Sequence, residues 1–248
     1  MSRLYNELTF MPVSGKAMNR TGIEYLTHSW NPIVGCLHSL KECPTSDKCW
    51  ARSMARRFAG VWGFLPRFYP ERLEEPYRLR KPARIGVGFM GDMFGDWCDS
   101  SGRYIDNDAV ERVITTARNC SQHTFIFLTK NPEGLLPYKF PPNAWVGVSV
   151  CNQEMWEKAC PVLKKVGAQV RWISVEPLLS RIFMFSRWRP DWLVVGAQTG
   201  PGAVKPERAW VENIVAFCQL YQIPYWEKNN LASVLGRPLH QDIPLDIP

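Results

Sequence analysis

Six short apolar runs, each closed by a polar or glycine-rich turn, limit what this chain can fold into. They are "RIGVGFMGD" (84–92), "TFIFLTKNP" (124–132), "AWVGVSVCN" (144–152), "VRWISVEPLL" (170–179), "DWLVVGAQTG" (191–200) and "IPYWEKNN" (223–230), with a weaker one at "IEYLTHSWNP" (23–32). The runs are almost continuously apolar, as strands covered on both faces of a parallel sheet are. Helical patterns fall between several of them. Residues 106–120 open with Asp and Asn and carry Val110, Val113, Ile114 and Ala117 at helical spacing. Residues 206–221 start on Pro206 and repeat Trp210, Ile214, Phe217 and Leu220. Residues 49–60 read as a helix ending near Gly60, and 153–167 as a helix broken at Pro161. The spacing predicts an α/β protein with a single parallel (β/α) barrel or partial barrel of six to seven strands. A length of 248 residues suits one such domain. Residues 1–20 would be an N-terminal extension, 21–230 the barrel and 231–248 an irregular proline-rich tail.

Each run ends on a polar side chain: Asp92, Lys130, Ser149, Glu176, Gln198, then Glu227 with Lys228. In parallel barrels the C-terminal strand ends form one rim, and sites are built there. Polar loops alone explain a charge at one strand end; six such ends predict a shared pocket.

The segment "GCLHSLKECPTSDKCWA" (35–51) follows the first run and puts Cys36, Cys43 and Cys49 on the same rim. The chain has no apolar run long enough for a membrane span, and its first twenty residues lack the order of a secretory signal. Reduced thiols in a cytoplasm are therefore expected, and a tight cysteine cluster there points to metal or catalysis. Structural zinc takes four ligands, for which His28 or His38 is available. A 4Fe–4S cluster normally takes four thiolates, so three leave one iron open. Loop thiols with no ligand are the third reading.

The formal net charge is +7, and residues 50–84 hold nine Lys or Arg against three Glu, interleaved with Trp62, Phe64, Phe68, Tyr69 and Tyr77. Cations neutralise phosphates and rings stack bases, which suits a nucleotide, DNA or RNA surface. A solvated helix face followed by core aromatics gives the same composition.

The segments "IEYLTHSWNPIVGC…C…CWA", "GFMGDMF", "HTFIFLTKNPEGL", "WVGVSVCNQE", "RWISVEPLL" and "DWLVVGAQTGPGA" occur in that order between Ile23 and Asn230. Together they resemble a phage- and prophage-associated family of three-cysteine proteins that look like radical S-adenosylmethionine (SAM) enzymes. Trp30, Asn31, Pro32, Gly35, Cys36 and Cys43 match its W-N-P-x-x-G-C…C pattern; Cys49 follows Cys43 three residues later than the pattern has it. "GAQTG" at 196–200 stands where the family shows Gly-Gly-Glu-Ser-Gly.

The resemblance implies a radical-SAM-like partial or full barrel in which Cys36, Cys43 and Cys49 hold a 4Fe–4S cluster. Gly91 and Asp92 of "FMGD" would face the SAM methionyl amine, Ser149 the ribose and the backbone at Trp50 the adenine. Lys130, Glu176 and Gln198 would be the catalytic pocket residues shared between SAM and substrate, with Glu176 also binding the cofactor. An electron donor would reduce the cluster, SAM would be cleaved to a 5′-deoxyadenosyl radical, and a nucleotide or nucleic acid would be attacked in the cytoplasm of a bacterial host. Two other classes fit the same residues: a zinc- or cluster-stabilised nucleic-acid-binding protein without catalysis, and a barrel hydrolase or lyase with structural zinc and Asp92, Glu176 and Lys130 as acid–base groups.

Overall fold

The computed structural model describes residues 18–37, 43–59, 64–99, 102–106 and 108–244. His38, Trp62 and nearly all of the N-terminal extension lie outside the described residues.

One sheet runs through the molecule. Its strands are β1 (Asn19–Arg20), β2 (His28–Trp30), β3 (Arg84–Val87), β4 (Thr124–Thr129), β5 (Ala144–Ser149), β6 (Val170–Val175), β7 (Trp192–Val195) and β8 (Tyr225–Glu227). They lie side by side in chain order. β2 to β8 are all parallel, and β1 pairs antiparallel with the outer edge of β2. Each apolar run therefore holds one strand.

The sheet does not close, so of the two expected architectures the full barrel is corrected to an open, partial one. Both edges are occupied before they can meet. β1 covers β2. On the other side the tail lies antiparallel to β8: Glu227 N donates to His240 O at 2.8 Å and Asp242 N to Tyr225 O at 2.9 Å. The described part of the tail thus opens on a short helical turn at 232–235 and is then hydrogen-bonded to β8 through His240 and Asp242. A side chain spans the open seam instead. The Glu24 carboxylate accepts Asn229 N at 3.1 Å and lies 3.8 Å from Lys228 Nζ.

Four helices of ten residues or more follow strands: α1 (Trp50–Ala59) after β2, α2 (Ala109–Asn119) after β3, α3 (Gln153–Leu163) after β5 and α4 (Arg208–Leu220) after β7. The expected break at Pro161 does not occur, and α3 continues two residues past it. The ring removes only the bond to the Glu157 carbonyl, one turn earlier on an exposed stretch of the helix. No helix forms between β6 and β7, where residues 177–191 run without regular structure.

The two faces of the sheet differ. Phe125, Phe127, Val146, Val148, Ile173, Val175, Leu193 and Val195 pack against the apolar stripes of α2, α3 and α4, with Val113, Ile114, Trp156 and Ile214 at their centre. Alternate residues face the helix-free side: Ile126, Trp145, Val170, Trp172, Trp192, Val194 and Trp226 form a second cluster with Tyr25 and Leu26. Tyr25 meets Trp172, Trp192 and Trp226 edge-on at 5.2–6.1 Å. Each fully buried ring of this kind contributes about 1.5–3 kcal/mol through apolar burial. The Trp172 ring fits because position 147 is glycine; a Cβ there would lie 2.4 Å from it.

Candidate functional site

Beyond this aromatic floor the strands run into a cavity of about 690 Å³. Its wall contains Cys36, Cys43, Cys49, Trp50, Gly91, Asp92, Lys130, Ser149, Glu176, Gln198 and Lys228, so that of the rim residues singled out in the sequence Glu227 alone is missing. Parallel pairing in chain order is the cause, since it brings all the C-terminal strand ends to one side.

The W-N-P-x-x-G-C stretch builds the platform for the first cysteine. Trp30 is buried under the sheet and donates through Nε1 to Arg72 O at 2.8 Å. Asn31 Oδ1 accepts Met90 N, and Pro32 O accepts Tyr69 N at 2.7 Å. Gly35 and Gly91 then pass in direct backbone contact. Gly35 N donates to Met90 O and Asp92 N to Gly35 O. A Cβ on Gly91 would lie 2.3 Å from the Gly35 carbonyl oxygen, and Gly35 has φ +84°. The glycine at 91 is thus required by packing against the cysteine loop. Cys36 N donates to Phe64 O, closing the platform.

Asp92 is buried, and both carboxylate oxygens are engaged. Oδ1 accepts Phe94 N at 3.1 Å and the Thr129 hydroxyl at 2.6 Å; Oδ2 accepts Lys130 N at 2.8 Å. Its carboxylate therefore clamps the end of β4 and orients Lys130. Lys130 Nζ donates to Ser149 Oγ at 3.0 Å, and Ser149 Oγ donates to Glu176 O at 3.0 Å. Burial alone would push the Lys130 ammonium down, but the surrounding Cys151, Cys43, Asp92 and Cys49 hold it above the ordinary lysine value.

Opposite the cysteines, Glu176 Oε1 lies 2.7 Å from Lys228 Nζ. Gly196 leaves room for this pair, since a Cβ there would stand 3.0 Å from the Lys228 stem. Burial, then the carboxylates of Glu176 and Glu24, hold the Tyr25 phenol well above its usual range. Gln198 Oε1 accepts Val204 N at 2.9 Å, and Lys48 donates to the Gly202 carbonyl, tying the cysteine loop to the loop after β7.

Some expectations do not hold. Glu227, grouped with Lys228, faces away from the cavity, because Glu227 is the last residue of β8 and successive side chains there point to opposite faces. It is fully buried under Arg237, which forms two bonds of 2.6 and 2.9 Å to it. In the basic stretch, Phe64 is buried, Phe68 sits under Arg112 at 5.0 Å, and Tyr69 is stacked by Arg72 at 4.1 Å. Arg72 also donates to Asn31 O and Arg84 to Tyr25 O. Tyr77 is exposed, as is Trp50 at the head of α1, together with Arg56 and Arg57. Phe64, Phe68, Tyr69, Arg72 and Arg84 of that stretch are therefore scaffold. Glu24 and Lys48 carried no signal in the sequence, since each matters only through a partner about 150 residues or more away.

The three cysteines line one cavity and supply the soft donors that zinc or an iron–sulfur cluster takes. They suit such a group in donor type and in lining the same cavity. Among the described residues, no three His, Cys, Asp or Glu side chains are already gathered to hold a metal ion. Cys43 Sγ lies 3.1 Å from Thr45 Oγ1.

The profile of the family described as "Protein of unknown function (DUF5131)" matches residues 20–232, and the chain belongs to that family. No curated protein matches it. Among solved structures, a point mutant of spore photoproduct lyase aligns over 86% of this chain and 79% of its own, with 8% identity and a TM-score of 0.48. Among the described residues, no helix is long and apolar enough to cross a membrane.

Proposed function

We propose that the protein is a radical-SAM-type enzyme whose substrate is a nucleotide or nucleic acid. The observation that carries this reading is the meeting of Cys36, Cys43 and Cys49 with Lys130, Ser149, Glu176 and Gln198 in one cavity at the C-terminal strand ends. Three thiols without a fourth leave a coordination position for a second ligand.

Cys36, Cys43 and Cys49 hold a 4Fe–4S cluster in this reading, with SAM between them and Asp92, Lys130, Ser149 and Glu176. Held there, such a cluster would supply one-electron reducing chemistry, fed by an external electron donor, toward cleavage of SAM to methionine and a 5′-deoxyadenosyl radical. The chain's own residues do the rest. The Lys130 ammonium offsets the negative charge of the thiolates. Asp92 fixes Lys130 from behind, and Trp50 and Gly91 border the cofactor. The floor of indoles closes the cavity from below and keeps water off the reacting atoms. Glu176 and Gln198 face the substrate, and the exposed arginines of α1 would meet its phosphates. A reduced bacterial cytoplasm, that of a phage-infected host included, is the compartment such thiols need.

Anaerobic purification tests the reading. A brown protein with absorbance at roughly 400 nm supports it, as does release of 5′-deoxyadenosine after addition of SAM and dithionite. Cys36→Ala, Cys43→Ala and Cys49→Ala should each remove the iron, while Cys98→Ala should not. A colourless protein with stoichiometric zinc overturns it, and iron loss on Cys98→Ala alone would replace the open position with a fourth thiolate.

A further inference from the structure

The crossover from β6 to β7 lacks a helix and carries instead the irregular stretch "RIFMFSRWR" (181–189), with a tight turn where Phe185 N donates to Phe183 O at 2.8 Å. Its side chains alternate. Ile182 is buried and Met184 and Trp188 are half-buried, whereas Arg181, Phe183, Phe185, Arg187 and Arg189 all face out. The outward row has three arginines and no acid. Phe185 is 82% exposed, and its ring lies parallel to that of Phe183, at 4° and 6.3 Å between centroids. The Arg181 guanidinium covers Phe183 at 4.7 Å, and Arg189 covers Tyr221 of the neighbouring helix end at 3.6 Å.

The row is held in place by two side-chain amides. Gln153 at the start of α3 accepts Phe183 N at 2.7 Å, and Asn213 of α4 donates to Ile182 O at 2.8 Å. Asp191, just beyond the row, is paired with Arg171. Among the described residues Arg181, Arg187 and Arg189 form no ion pair, which leaves their charge to a partner.

We propose that this row is a binding surface for single-stranded nucleic acid, with bases stacking on Phe183 and Phe185 and phosphates meeting Arg181, Arg187 and Arg189. Charge selects a polyanion. The flat rings select among polyanions: a strand with unpaired bases uses both the rings and the cations, whereas an acidic peptide uses the cations and leaves the rings in water. The inference rests on the nucleic-acid half of the proposed function and not on the cluster, and it lies on a segment distinct from residues 50–84.

The test uses the full chain and fluorescein-labelled DNA and RNA strands of about a dozen nucleotides, read by anisotropy against the matching duplex at salt from about 20 mM upward. Single strands should bind more tightly than the duplex. Phe185→Ala should weaken them about tenfold, since one base–ring stack has that order of value; its exposed ring leaves the fold intact, which circular dichroism checks. Arg187→Ala with Arg189→Ala should lower the slope of log affinity against log salt by about 0.7 per arginine. Single-strand affinity unmoved by these variants but lost in R56E/R57E/R80E overturns the row and leaves the nucleic-acid reading standing. Absence of any oligonucleotide binding overturns the row and the nucleic-acid half together, with 5′-deoxyadenosine release still reporting on the cluster. Binding of poly-glutamate in preference to the strands, or a dimer that Phe185→Ala dissolves, also overturns it.

Discussion

The same strands build two opposite environments on the helix-free face of the sheet. At their N-terminal halves they present Trp145, Trp172, Trp192 and Trp226, packed edge to face around Tyr25. Two to six residues further on they present Ser149, Glu176, Gln198 and Lys228 around a hollow. The steps are short: Trp145 to Ser149, Trp172 to Glu176, Trp226 to Lys228. The floor is a packing solution in which one glycine, Gly147, makes room for one indole. The cavity is an electrostatic solution in which Asp92 holds Lys130 and Lys228 holds Glu176. One half carries stability and the other carries the candidate site, and substitutions should separate them.

The largest effect is expected in the floor. Trp172→Ala should cost about 3–5 kcal/mol of unfolding free energy, because the ring is fully buried and its neighbours are rings that cannot collapse into the gap. Urea denaturation measures it, and a loss under about 1 kcal/mol would show that the floor is not the stabilising half. Gly147→Ala should cost about 1–3 kcal/mol by forcing the Trp172 ring aside.

Alkaline pH should expose the next difference. Burial pushes the thiols of Cys151 and Cys160 up to about 11 and that of Cys218 to about 12. A folded value above the unfolded one gives stability that is complete below the unfolded value near 9 and is lost as pH rises toward 11–12. Stability should therefore fall steadily above about pH 9, and Cys218→Ala should flatten that fall. At pH 8 an alkylating reagent followed by mass spectrometry should label exposed Cys98 before these three. Early labelling of Cys151 would mean that the end of β5 opens.

The smallest effect on the fold belongs to the cavity. Lys130→Met removes a charge that donates to Ser149 Oγ and leaves Asp92 accepting from Phe94 N, Thr129 and Lys130 N. Stability should fall by about 1 kcal/mol, since buried Ser149 Oγ loses a donor while Asp92 keeps its three, while SAM affinity, followed by calorimetry on cluster-loaded protein, should drop at least about tenfold. A variant that unfolds instead would place Lys130 with the floor.

Much of this was legible in the sequence because parallel strands buried on both faces are written as continuous apolar runs. Six such runs located β3 to β8, and their last residues located the cavity wall. Pro161 misled because a proline near the end of a helix costs one exposed bond. The pairing of the tail with β8 was not legible because it is made by backbone groups and by half-buried Arg237 on buried Glu227, neither of which leaves a hydrophobic pattern. In the basic stretch, composition could not separate arginines that cap backbone carbonyls, as Arg72 and Arg84 do, from those left in solvent.

The sequence by itself determined the strands, their parallel order, the cysteine loop and the polar residue at each strand end, because these depend on local periodicity and chain order. Tertiary structure alone decided that the sheet stays open, that Glu24 reaches Lys228 and Asn229 across the seam, that Glu227 turns outward while Lys228 turns in, and that the β6–β7 crossover presents its phenylalanines to water. Each of these is fixed by which edge or face a partner distant in the chain has already occupied, and a short-range pattern cannot encode that.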